Sequence, residues 1–267
     1  MKKIVSLSFD VEEWDSPVYY GVESKDAMST KFSAEGCAKI IELLEREKIR
    51  STFFLTGTFA RNHPDIAKKL ASLGHDVACH GNDHKVLADL PYDELYADIK
   101  AGRDSVESAS GAKVAGFRCP RNMRNPHLYE VLKKLSFTYD SSVHPAFMPG
   151  RWGDVLQKRD VHKVDGIIEV PSSTLIGLPI SWWWMRNIGE QFTRIGCETS
   201  LRLHDYALVY FHAWEYAKLP QVAGIPSHMT KRTGIQFLED LERLIGHLKK
   251  RGHCFGTIPD IIKQKTG

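Results

Sequence analysis

At 267 residues and 42% hydrophobic, the chain can bury a core the size of one α/β barrel or two small domains, and we read one domain over residues 1–267. The formal charge of +3, with Lys and Arg scattered among acidic residues, excludes the basic stripe of a nucleic-acid-binding protein. Five cysteines without a Cys-x-x-Cys pair suit a reducing compartment, so the cytoplasm is expected.

Met1-Lys2-Lys3 followed by apolar residues resembles the start of a signal peptide, but serines interrupt the run and it ends at Asp10, which predicts a first strand over 3–10. Ser33 is placed to cap a helix with an apolar face of Ile40, Ile41, Leu43 and Leu44. A strand near 51–56 follows, then a helix opened by Pro64 and stopped by Gly74, then a strand near 75–80. Helical patterns after Pro91 and Pro126 separate strands near 114–119 and 137–141. Further strands are predicted near 166–171, 206–212 and 253–257, with a helix after Thr233. Residues 143–165 and 174–205, rich in Trp, Pro, Gly and Arg, read as long loops over one face. The longest strongly apolar stretch after the first strand, from Leu175 to Met185, contains a proline and falls short of the ~20 residues that cross a bilayer. Strands alternating with helices predict parallel βα units.

The polar residues follow this order. Asp10, His80, Arg118, Asp140 and His212 each stand at or just beyond the carboxyl end of a predicted strand, and in a parallel barrel those ends converge on one mouth. A turn would bring the imidazoles of His80 and His84 to one side, where a carboxylate from elsewhere completes a three-ligand divalent metal site with positions open to water. The acidic run Asp10-Val11-Glu12-Glu13 and the polar run His212-Ala213-Trp214-Glu215 would leave an acid and a base beside it.

Plainer readings exist for several of these residues. Asp10 could cap a turn, Arg118 could be a structural ion pair, and Tyr139-Asp140-Ser141-Ser142 reads equally as an ordinary turn. Trp182, Trp183 and Trp184 are expected in a core or interface; with Met185, Arg186 and Arg194 they would alternatively sit against a membrane surface and admit a lipid-linked glycan. Cys79 and Cys119 alternate away from their polar neighbours and are expected behind the sheet, whereas His144 is close enough to the fourth polar cluster to face the cleft.

Ser8-Phe9-Asp10-Val11-Glu12, His80-Gly81-Asn82-Asp83-His84, Phe117-Arg118-Cys119-Pro120, Tyr139-Asp140-Ser141-Ser142 and Val209-Tyr210-Phe211-His212 resemble, in order, five motifs of the polysaccharide deacetylase family. That family is also called the NodB homology family or carbohydrate esterase family four. The resemblance covers nearly the whole chain and implies an α/β fold, a distorted (β/α) barrel with about seven parallel strands. Val11 stands where the commonest pattern has a second aspartate, and the resemblance to a branch with an Asp-x-Glu first motif implies Glu12 as the ligand beside His80 and His84, with Glu13 the alternative. The extended His212-Ala213-Trp214-Glu215 motif looks more like members of surface-polysaccharide and lipid-linked glycan pathways than like secreted chitin deacetylases.

The implied activity is removal of an N-acetyl group from an N-acetylated sugar in a polymer, a lipid-linked intermediate or a nucleotide sugar. The implied cofactor is one divalent metal ion, zinc first, with cobalt, nickel, iron or manganese also suited to a His₂-carboxylate set. In the implied mechanism Asp10 is the base, His212 the acid, and Arg118 orients Asp10 through a charge-assisted hydrogen bond. Asp140 would orient Arg118 or His212, and Asp140 and Trp214 would meet the substrate. Two other readings are a hydrolase of a non-sugar C–N bond (a formamide, cyclic imide or ureide) and a glycan-binding protein without catalysis.

Overall fold

A computed structural model describes residues 3–147 and 155–267. Strand β1 (Ile4–Val11) is buried along its entire length, as a strand covered on both faces of a parallel sheet must be. In chain order follow α1 (Ser16–Tyr19), α2 (Lys31–Glu47), β2 (Thr52–Leu55), α3 (Gly57–Asn62), α4 (Pro64–Ser72), β3 (Asp76–Cys79), α5 (Tyr92–Ser110), β4 (Gly116–Phe117), α6 (Leu128–Lys134) and β5 (Tyr139–Asp140). The second half adds β6 (His162–Val164), β7 (Ile167–Glu169), β8 (Thr174–Leu175), β9 (Leu178–Pro179), α7 (Trp182–Ile188), α8 (Glu190–His204), β10 (Tyr206–His212), α9 (Ser227–Thr230), α10 (Ile235–Lys250), β11 (Cys254–Phe255) and α11 (Ile258–Thr266).

The main sheet runs β10-β1-β2-β3-β4-β5-β7-β6, with β11 also on β1. Every pairing in it is parallel except β6 with β7. One edge of β1 is shared, since β2 takes Ser8–Val11 and β11 takes Ile4 and Val5. The sheet curls until its far side approaches β10, where Ser173 N donates to Leu208 O and Tyr206 Oη donates to Pro171 O. The fold is thus a curled, largely parallel half-barrel, the expected NodB-like architecture, and the eight predicted strands coincide with β1, β2, β3, β4, β5, β7, β10 and β11.

Alternation along β1 divides two cores. Val5, Leu7, Phe9 and Val11 face the helical layer, while Ile4 joins Phe54, Tyr139, Tyr206, Ile258 and Ile261 inside the curl. Near that inner core β4 and β5 approach so closely that a Cβ on Gly116 would lie 1.9 Å from the Tyr139 ring. The Tyr139 hydroxyl donates to Asp76 Oδ2 at 2.6 Å. The amino ends of the strands are therefore filled, with Thr52 and Tyr139 both hydrogen-bonded to Asp76 there, while Asp10, His80, Arg118 and His212 stand at the carboxyl ends.

One expectation is corrected. Residues 174–205 are not a long loop but a β8–β9 hairpin followed by α7 and α8. The face that α8 buries consists of Thr193, Gly196, Cys197, Ser200 and Leu201, which has the period of a helix but little of its usual hydrophobicity. Small residues are required there, because a Cβ on Gly196 would fall 2.1 Å from Ile180 Cγ2. The other supposed loop, 143–165, contains β6, and its residues 148–154 lie outside the described residues. No helix among the described residues is long and apolar enough to cross a membrane.

Candidate active site

The strand register builds the site. Asp10 pairs with His212, and Cys79 with Phe117, so that His80 and Arg118 leave adjacent strand ends side by side. Asp10 and Ser8 share the inner face of β1, and both accept hydrogen bonds from Nη1 of Arg118, at 2.7 and 3.0 Å. Arg118 is fully buried; its Nε donates to Ser141 O and its Nη2 to Ser141 Oγ, and its guanidinium lies 4.1 Å from the centre of the Phe54 ring. A buried arginine with these partners is fixed in one geometry, and Asp10 with it. The ion pair expected from sequence is present.

Glu12, just past β1, reaches between the two imidazoles. Its Oε2 is 3.2 Å from His80 Nε2 and 2.8 Å from His84 Nε2, and the three residues offer ligand atoms that all lie within 4.8 Å of one another. Glu13 turns elsewhere and accepts from Thr56 Oγ1, the residue that caps α3. Of the two candidate carboxylates, Glu12 is the one beside the histidines.

Each of the three converging groups is held from behind. His80 Nδ1 donates to the Arg118 carbonyl at 2.8 Å, and His84 Nδ1 faces Asp15 Oδ2 at 3.1 Å, with Arg121 on the same carboxylate oxygen. Oε1 of Glu12 accepts the indole N–H of Trp214 at 3.0 Å. Such outer partners fix ring orientation and tautomer in metal sites. A carbonyl can only accept, so His80 carries a proton on Nδ1, and its Nε2 faces Glu12 Oε2 at 3.2 Å either through a second proton or through a shared metal ion. One carboxylate and two imidazoles so placed fit a divalent cation.

The charges in the cluster shift one another. Burial alone would raise the Glu12 carboxyl, but His84 and His212, with hydrogen bonds from His80 and His84, hold it well below the usual carboxylate range. Burial would lower His84, yet Glu12 and Asp15 outweigh it and push that imidazole up to about 10. His212 is raised in the same way, burial being outweighed by Glu12, Glu215 and Asp10.

His212 stands across from Asp10, with Nε2 3.8 Å from Glu12 Oε1. Its ring stacks on Trp214, 4.9 Å between centroids and 13° between planes, and meets the edge of half-buried Trp182 at 5.1 Å. Trp183 and Trp184 pack instead on each other, His228 and Phe192, so only the first of the three tryptophans reaches the site.

Asp140 and Trp214, the two expected substrate contacts, are both buried. Asp140 is fully buried, accepts from Ser142 Oγ at 2.6 Å and lies against Glu169; neither Arg118 nor His212 is among its hydrogen-bond partners. Its strand register points it into the β5–β7 side of the barrel, where burial and the Asp140 charge raise the Glu169 carboxyl well above its ordinary value. Trp214 is 3% exposed and donates its indole N–H to Glu12, which makes it a support of the cluster. His144 is buried edge-on to Tyr210. Cys79 and Cys119 are buried as expected. Sequence reasoning missed Asp15, two residues past the acidic run, and placed Arg186 only in the membrane-facing alternative, whereas it is buried against Glu215.

The sequence profile of the family described as "Polysaccharide deacetylase" matches residues 1–139, just over half of the chain. A chitooligosaccharide deacetylase from Bradyrhizobium sp. is 25% identical over 116 residues, covering 42% of this chain and 51% of that protein. The first curated relatives are matched over only 34%, 38% and 51% of their own lengths. Among solved structures, a polysaccharide deacetylase described as putative from Mycobacterium smegmatis superposes with TM-score 0.61 at 18% identity, over 96% of this chain and 94% of that one. A CE4 family pseudoenzyme from Bacillus anthracis superposes with TM-score 0.58 at 17% identity, over 98% and 66%. At these identities the structural likeness establishes the fold alone.

Proposed function

This chain belongs to the polysaccharide deacetylase family, and we propose that it is a metal-dependent hydrolase that removes the N-acetyl group from an N-acetylated sugar. The observation that carries this reading is the position of Glu12 between His80 and His84, with Asp10 and His212 on adjoining strands beside it. Relatives named chitooligosaccharide and peptidoglycan deacetylases support an N-acetylated glycan as substrate. Residues 1–267 would act as one catalytic unit, supported by the pairing of β1 with both β10 and β11 from the far end of the chain. Five free cysteines, four of them buried, support a cytoplasmic location.

Glu12, His80 and His84 would hold one divalent ion, with zinc the first choice for such a donor set. Once bound, the ion would supply Lewis acidity at the acyl oxygen and acidify a water molecule. The protein's own groups do the rest. Asp10, fixed by Arg118, takes a proton from the attacking water at its free carboxylate oxygen. His212 gives a proton to the departing nitrogen as the C–N bond breaks, because an amide nitrogen leaves only as a neutral amine. The products are acetate and the free amino sugar. Trp182, beside His212 and half exposed, offers an aromatic face to the sugar ring.

The test is an assay of zinc-reconstituted protein on N-acetylglucosamine oligomers, following acetate and amine together. Equal release of both, abolished by a chelator, is expected. Loaded protein that releases formate or opens a cyclic imide, and leaves N-acetyl sugars intact, would replace this reading with the non-sugar C–N hydrolase.

A further inference from the structure

His212 is the one proposed proton-transfer group whose support the five motifs do not supply, since Asp140 is turned away. The structure offers another carboxylate. Glu215, three residues on and fully buried, accepts the backbone N–H of His212 at 2.9 Å, and the same oxygen, Oε2, lies 3.5 Å from His212 Nδ1. Its other oxygen is 3.1 Å from Nη1 of Arg186, which is likewise buried and comes from α7. Arg186 also donates from Nη2 to the carbonyls of His228 and Met229, and its guanidinium lies 5.0 Å from the centre of the Trp182 ring.

Burying two charges is costly, and an ion pair retained only for stability is often bettered by apolar packing. Here the pair holds the second carboxylate oxygen, which accepts the His212 backbone N–H, 3.5 Å from His212 Nδ1, a buried nitrogen that has no closer hydrogen-bond partner among the described residues. We infer that Glu215 is the positioning residue for the His212 acid and that Arg186 fixes Glu215 in place. This rests on the deacetylase reading above. By receiving Nδ1–H, Glu215 sets the ring so that Nε2–H points into the cleft. In the step it serves, the Nε2 proton passes to the departing nitrogen, the C–N electron pair stays on that nitrogen, and His212 is left neutral. The proton that Asp10 took from water and the one that His212 lost are re-equilibrated through solvent.

Two measurements test this. The first compares E215Q with wild type on an N-acetylglucosamine oligomer and on 4-nitrophenyl acetate, whose phenolate departs without a proton. Gln keeps an acceptor for the His212 N–H but not the charge. The ratio of amide to ester kcat is expected to fall at least ten-fold, with the oligomer KM within two-fold of wild type; an unchanged ratio in folded E215Q overturns the inference. The second is proton NMR of the wild-type protein, where a downfield, solvent-protected imidazole Nδ1–H resonance that disappears in His212→Ala is expected. No such resonance overturns the inference even if E215Q fails to fold. Wild-type protein that shows the resonance but releases no acetate leaves the positioning contact standing and removes the deacetylase reading instead.

Discussion

Trp214 donates its indole N–H to Glu12 Oε1 across 3.0 Å, tying the start of the last polar run to the carboxylate at the end of the first strand. The same indole carries the His212 ring on its face. One buried side chain thus aligns the carboxylate proposed as metal ligand and the group proposed as acid.

Trp214→Phe keeps the ring and deletes the donor. Outer partners of this kind typically contribute on the order of 10- to 100-fold in metal affinity. Zinc affinity measured by competition with a chromophoric chelator is expected to fall by that much, and unaltered affinity would reject the supporting role.

Asp10→Asn should separate binding from turnover. The Glu12, His80 and His84 donors remain, so stoichiometric zinc uptake is expected to persist, while kcat drops on the order of 10²- to 10⁴-fold with loss of the base. His80→Ala removes a donor and should lose both. The contrast is read by pairing metal analysis with acetate release; an Asp10→Asn enzyme near normal activity would discard the base.

The fold should weaken in mild acid through His75, a residue far from the chemistry. Burial lowers its imidazole to about 4, and Nδ1 accepts the backbone N–H of Ser51. The folded state therefore holds His75 neutral while the unfolded chain begins to protonate it below its ordinary value of 6.5. Its stabilising contribution is complete above that pH and drains as the pH falls toward about 4, amounting to up to about 3 kcal/mol. His75→Asn keeps an acceptor without a titrating proton. Urea midpoints of the variant are expected to depend less on pH across this window than those of wild type, and parallel curves would exclude the assignment.

Gly116→Ala tests the filled end of the barrel. Its new Cβ would overlap the Tyr139 ring, and backbone on both short strands must shift to make room. Overpacking of this kind costs about 1–3 kcal/mol. A lowered urea midpoint is expected, and a variant as stable as wild type would show that β4 and β5 can separate freely.

The strands were legible because each parallel strand is a short apolar run ending in a polar residue, and β1, Ile4 to Val11, is the clearest of them. The convergence of Glu12, His80 and His84 was legible for the same reason, since all three follow strand ends. What escaped depends on partners distant in the chain. Nothing local in Tyr139-Asp140-Ser141-Ser142 says that Asp140 will face Glu169 rather than Arg118, because that choice is made by the β5–β7 register. Nor does Trp214 announce a bond to a residue 202 positions away. Helix α8 hid because close approach to Ile180 selects glycine and serine where a helical face is ordinarily sought in leucine.

Val11 faces the helical layer with Phe9, while Asp10 and Ser8 face the cleft. Successive residues of a strand look in opposite directions. Two neighbouring acids could therefore serve this centre only if the strand lost its pleat at position 11, whereas two acids one residue apart reach it with the pleat intact. Exchanging the letters at 11 and 12 would bury a carboxylate among hydrocarbon and deprive the two imidazoles of their companion. The spelling Asp-Val-Glu is thus a separate mechanical solution, and a search that insists on paired aspartates passes over chains that have adopted it.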